Sequence, residues 1–142
     1  MKKKLLINIL LVIFFLNSET FSKESSYFIE GMKYFKKQEF EKSKIFFERD
    51  LVFNPKSEKS YLYLAKIFGK EENDDLQEQN LKTVLLLNPK NEEALYLLTL
   101  LKIKKSDYSE SNRLLKNFLK VCKVLCDKEI ELNKKFKSLQ TQ

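Results

Sequence analysis

The sequence has 142 residues, 43% of them hydrophobic and 13% aromatic, enough for one buried core and no more than one domain. Two Gly and two Pro leave little material for hairpins or Gly-rich loops, and abundant Leu, Lys and Glu argue for an all-helical chain. The absence of His removes the commonest general base and metal ligand, and with it any Ser-His-Asp or Cys-His arrangement, so neither an enzyme nor a cofactor site is expected.

The formal net charge is +7. Beyond residue 22 there remain 24 basic and 19 acidic side chains, a mild excess with only Arg49 and Arg113 as arginines. Nucleic-acid surfaces carry denser basic patches, so the lysines read as a solvated surface and no nucleic-acid partner is expected.

Residues 1–22 have the layout of a secretory signal. Lys2, Lys3 and Lys4 make a positive start, residues 5–16 (LLINILLVIFFL) an apolar run, and residues 17–22 a polar stretch with small side chains at Thr20 and Ser22. The apolar run is short of the ~20 residues that a spanning helix needs. Two readings stand: a cleaved signal, or an uncleaved N-terminal anchor. Without a Cys near the run, a bacterial lipoprotein anchor is excluded. Either way the chain is expected to be exported, to the periplasm or cell envelope of a bacterium. Membrane contact is expected through an uncleaved N-terminus only.

From residue 24 onward the chain repeats itself. Residues 51–58 read LVFNPKSE and residues 85–92 read LLLNPKNE, with Pro55 and Pro89 34 residues apart. A fixed period of this size marks a stacked repeat. It divides residues 24–125 into units 24–57, 58–91 and 92–125. Apolar spacing at three and four residues predicts two amphipathic helices in each: 27–37 and 40–53, 58–69 and 75–87, 92–104 and 108–121. In the second helix, Ile45, Phe46, Phe47, Leu51 and Val52 form one broad stripe. Asn54-Pro55 and Asn88-Pro89 stop the second helix of the first two units. Residues 126–142 predict a seventh helix, with Ile130, Leu132, Phe136 and Leu139 on its apolar side, serving as the polar cap a stacked array needs.

Glu71, Glu72, Asp74 and Asp75 cluster at a turn but lack the Gly and ligand spacing of a calcium loop, so they read as a solvated helix start. Cys122 and Cys126 bracket the place where the third unit lacks its proline. They are either a local disulfide, allowed in an exported chain, or two buried thiols.

Aligned at 34 residues, the first helices share a small column, Gly31, Ala65 and Thr99, preceded by Tyr27, Tyr61 and Leu95 and followed by Tyr34, Phe68 and Lys102. Phe47, Leu81 and Leu115 align in the second helices. This pattern resembles the tetratricopeptide repeat (TPR) family. The resemblance implies a right-handed superhelical stack of three helix-turn-helix repeats plus a C-terminal capping helix. The departures from it are Lys102 in the aromatic column, Lys123 where Pro would stand, Gln77 for a small residue, and Asp50, Val84 and Phe118 in a slot that the family keeps small. By register it implies a concave groove containing Phe28, Met32 and Phe35, then Leu62, Lys66 and Lys70, then Tyr96, Leu100 and Ile103. Such a groove suits an amphipathic helix or an extended segment with an acidic spot. The corresponding surface lacks the Asn residues with which chaperone-binding members clamp a terminal carboxylate, so that activity is not carried over. The expected function is a protein-interaction adaptor of the envelope with a protein or peptide partner. The rival is a structural subunit that self-associates into a homo-oligomer or belongs to an envelope complex.

Overall fold

Seven α-helices and one 3-10 turn follow the apolar pattern along residues 24–140, the part of the chain that the computed structural model describes. The signal-like segment at residues 1–22 and the side chain of Leu139 lie outside the described residues. The helices are α1 (Ser26–Lys36), α2 (Phe40–Phe53), α3 (Glu58–Lys70), α4 (Asp74–Leu87), α5 (Glu92–Lys104), α6 (Tyr108–Val121) and α7 (Glu129–Gln140), with the 3-10 turn Cys126–Lys128 before α7. They pair as antiparallel hairpins, α1 with α2, α3 with α4 and α5 with α6, and each hairpin stacks on the next. Helix α7 lies against α5 and α6 at the end of the stack. The expected all-α repeat stack is the observed fold.

Local chemistry explains the punctuation. Ser25, Asn73, Asn91 and Asp107 each accept a backbone N–H of the helix they precede, satisfying donors that a helix start leaves open. The three hairpin turns share one geometry. Gln38, Glu72 and Ser106, spaced by 34 residues, all have positive φ, at 61°, 56° and 56°. The next residue then donates back to the helix just ended: Glu39 N–H to Tyr34, Asn73 to Phe68 and Asp107 to Lys102. At the other edge of the stack, Asn54, Asn88 and Cys122 each make the last helical bond, to Asp50, Val84 and Phe118. The third unit therefore stops at the register of the first two without a proline.

The core has two parts. Phe28, Phe47, Leu64, Ile67 and Phe68 fill the space between the first two hairpins, and a larger cluster runs from Leu62 and Ala65 to Leu132 and Phe136 of α7. The small column is needed where the helices cross: a Cβ at Gly31 would stand 2.7 Å from the Phe47 ring. Two sequence expectations need correction. Of the broad α2 stripe only Phe47 is fully buried, while Ile45 and Val52 are exposed, because a helix this tightly paired turns a narrower face inward. In the cap, Leu132 and Phe136 are buried but Ile130 faces outward.

The departures from the repeat pattern are compensated in space. Asp50 is fully buried, and its carboxylate accepts the hydroxyls of Ser25 and Ser60, tying the starts of α1 and α3 to α2. Gln77 brings a large side chain to the second hairpin, and it lies where a Cβ on Gly69 would be. Lys102 is buried but ion-paired with Glu78 at 2.7 Å. Of the acidic turn, Glu71 pairs with Lys44, Asp74 with Lys104 and Asp75 with Lys105, so these carboxylates tie adjacent hairpins together.

Candidate functional site

Helices α1 and α3, the first helices of the first two hairpins, turn one face each toward an open cleft of about 850 Å³. Aromatic rings pack beneath it. The Tyr63 ring lies 5.0 Å from Phe35, 5.3 Å from Phe47 and 6.0 Å from Phe28, in edge-on and stacked contacts. Phe28, Ile29, Met32, Leu62 and Tyr63 make the apolar lining, and Lys33, Lys36, Lys37 and Lys59 stand at the rim. Lys33 is paired with Glu30 and Lys59 with Glu24. Lys36 and Lys37 make no ion pair among the described residues, so the rim keeps a net positive side.

Phe28, Met32 and Leu62, three of the expected groove residues, line this cleft together. Phe35 is half-buried beside it, packed on Tyr63 and Phe40. Lys66 is committed inside the fold: its ammonium sits 4.7 Å from the Tyr63 ring centre and 2.8 Å from Glu93. Lys70 is exposed, 5.3 Å above the Phe40 ring. The third trio stands apart. Tyr96 donates its hydroxyl to Glu131 of α7 at 2.9 Å, and burial, helped by that carboxylate, pushes its pKa up to about 12. Leu100 and Ile103 line a separate cleft of about 360 Å³ with Lys135 of α7. Helix α7 thus closes over the third hairpin and leaves the first two open.

Ile29, Tyr63 and the rim lysines are the lining residues that sequence reasoning missed. A signal existed, since Ile29 and Tyr63 are 34 residues apart, one position beyond the Phe28 and Leu62 column. Asn91 also lines the cleft, but its amide is already used: Nδ2 donates to Glu58 and Oδ1 accepts from Ala94 N–H.

A second recurrent contact lies at the helix starts. Glu58 accepts from the side chains of Asn88 and Asn91. Glu92, its counterpart 34 residues on, accepts instead from the backbone N–H groups of Val124 and Leu125, both at 2.9 Å. The backbone of that turn, Leu125 first, then Lys123 and Val124, holds the Glu92 carboxyl below its ordinary pKa. The loop that presents them is closed by a disulfide between Cys122 and Cys126, whose Cα atoms are 5.3 Å apart. The helix ends at Val121, which frees Cys122 from the helical geometry that would hold the two sulfurs apart.

No family model and no curated protein matches the sequence. Solved structures do match the fold. The first TPR of Spaghetti (RPAP3) bound to the HSP90 peptide SRMEEVD superposes with a TM-score of 0.72 at 15% identity, over 80% of this chain and 90% of that one. The TPR2B domain of yeast Sti1 in its pHsp70 complex gives 0.69 at 14%, over 82% and 94%. The Sgt2 TPR domain of Aspergillus fumigatus gives 0.68 at 12%, over 82% and 80%. At such low identity the likeness establishes the fold: a tetratricopeptide-like stack of helical hairpins.

Proposed function

We propose that the protein is an exported adaptor of a bacterial cell envelope that binds a peptide segment in the cleft between α1 and α3. The observation that carries this reading is the cleft itself, an apolar floor with lysines at its rim, left open while α7 covers the third hairpin. One of the similar structures holds an HSP90 peptide and another is a pHsp70 complex, which supports the reading. The lining favours a segment with an apolar anchor side chain for Phe28, Met32 and Leu62 and carboxylates near Lys36 and Lys37. The rival, a self-associating subunit, would fill the same cleft with a neighbouring copy.

Binding of apolar peptides with acidic and with basic flanks, followed by fluorescence anisotropy, tests the proposal. The acidic series should bind more tightly, and K36E/K37E should weaken it by about tenfold or more without changing the melting temperature. Equal binding of both series, or no effect of the charge reversal, would overturn it. A concentration-independent dimer that excludes every peptide would favour the subunit.

A further inference from the structure

The edge of the stack where each second helix ends and each first helix begins carries a feature that peptide binding does not use. Val52 is 75% exposed, Phe53 72%, Leu86 81% and Val124 83%, although all are apolar. Val52 and Phe53 precede Asn54-Pro55, and Leu86 and Leu87 precede Asn88-Pro89, so the pairs recur on successive hairpins at the same height. Lysines accompany them: Lys56, Lys90, Lys120 and Lys123 are exposed and make no ion pair among the described residues.

The carboxylates at the helix starts of that edge each have a partner, although Glu24 and its pair are exposed. Glu24 is held by Lys59, Asp50 by two serines, Glu58 by two asparagines and Glu92 by backbone amides. Exposed carboxylates near this edge are Glu24, paired with Lys59, Glu48 one turn before Val52, and Asp127 and Glu129 beyond Cys126. On the opposite edge, by contrast, Glu71, Asp74, Asp75 and Asp107 alternate with lysines.

We propose that this edge rests on an anionic lipid surface, with the apolar pairs entering the headgroup boundary and the lysines facing lipid phosphates. Exposed apolar tips flanked by unpaired cations on successive hairpins match a planar anionic interface. The cleft of about 470 Å³ at the first step of this edge sets Glu24, Asp50 and Glu58 beside Lys56 and so does not suit an acidic protein segment. The point of chain entry agrees. The described chain begins at residue 24 near this ridge, where the Tyr27 ring of α1 stacks on Phe53 at 5.4 Å. Membrane contact would then extend well beyond an N-terminal anchor, and it would leave the α1–α3 cleft free for a peptide. Among the described residues no helix is long and apolar enough to cross a membrane.

The chain has no Trp, so a single Trp is a clean reporter. Leu86→Trp on the ridge and Leu76→Trp on the opposite edge would be compared in the full chain, on vesicles of phosphatidylglycerol and phosphatidylcholine with brominated acyl chains. The ridge reporter should shift to the blue and be quenched, and the Leu76→Trp reporter should not. The K56E/K90E variant should lose about tenfold or more in partitioning, and the binding should vanish on pure phosphatidylcholine. Equal quenching of both reporters, or binding that ignores lipid charge and K56E/K90E, would assign the contact to the N-terminal segment alone and overturn the proposal. So would burial of the ridge reporter by self-association without lipid.

Discussion

Single residues in this chain are constrained by what stands opposite them. Gly31 and Gly69 both lie inside helices, but their neighbours differ. Gly31 faces the ring of Phe47, a fully buried side chain with nowhere to move. Gly31→Ala should therefore lower stability by about 1–3 kcal/mol in urea unfolding, despite better helix propensity. Gly69 faces the flexible amide end of Gln77. Gly69→Ala should be neutral or stabilising by up to about 1 kcal/mol, and equal losses at the two positions would refute the distinction.

Glu78 is the other instructive residue. Hydrogen bonds from Lys102, then Lys82 and Lys105, hold its pKa down at about 2. A depressed carboxylate contributes its full stability above its ordinary pKa of 4.5 and loses it as pH falls toward 2. Wild type should lose roughly 2 kcal/mol more than Glu78→Gln across that window, after allowance for partial solvent access. Acid unfolding curves that coincide would show the cluster to be inert. Sequence showed Lys102 as a departure from an aromatic column, but its partner was illegible there. Glu78 is 24 residues away, and the pairing exists only because α4 and α5 pack.

At the scale of elements, most boundaries were legible. Proline, asparagine and apolar spacing act within a few residues, and α2, α5 and α6 have the bounds the pattern predicts. The hairpin turns were less legible, because Gln38, Glu72 and Ser106 adopt positive φ without being glycine. Helix pairing there outweighs the local cost of the left-handed conformation. The last turn depends on a covalent link instead. The Cys122–Cys126 bridge closes five residues and holds Val124 and Leu125 N–H toward Glu92. A loop this short is worth about 2 kcal/mol at most in the chain-entropy account. Reduction by a dithiol should lower the melting temperature modestly and speed hydrogen exchange at the Val124 and Leu125 amides. Unchanged protection of those amides in the reduced protein would show that the bridge does not organise the turn.

At the scale of the whole molecule, stacking separates three surfaces. The cleft lies on the first helices of two hairpins, α7 covers the third hairpin, and the cationic apolar ridge runs along the edge of helix ends. Among the described residues each hairpin packs chiefly on its neighbours, as in other repeat stacks, so the surfaces can take different partners without competing. Peptide affinity in the proposed cleft should fall with ionic strength, because its charge complementarity rests on exposed Lys36 and Lys37.

By itself the sequence determined the helical class, the 34-residue period and the register of the small column, since these rest on local propensity and on side chains repeated along the chain. It also brought Phe28, Met32 and Leu62 into one predicted groove. Only the tertiary structure decided that Lys66 is spent on Glu93 and the Tyr63 ring, that Tyr96 belongs to α7, and that Ile29, Tyr63, Lys36 and Lys37 complete the cleft. Register tells which residues share a helix face. Whether that face meets solvent, a lysine's counter-ion or a capping helix depends on contacts between residues far apart in the chain, and the stacking of the helices creates those contacts.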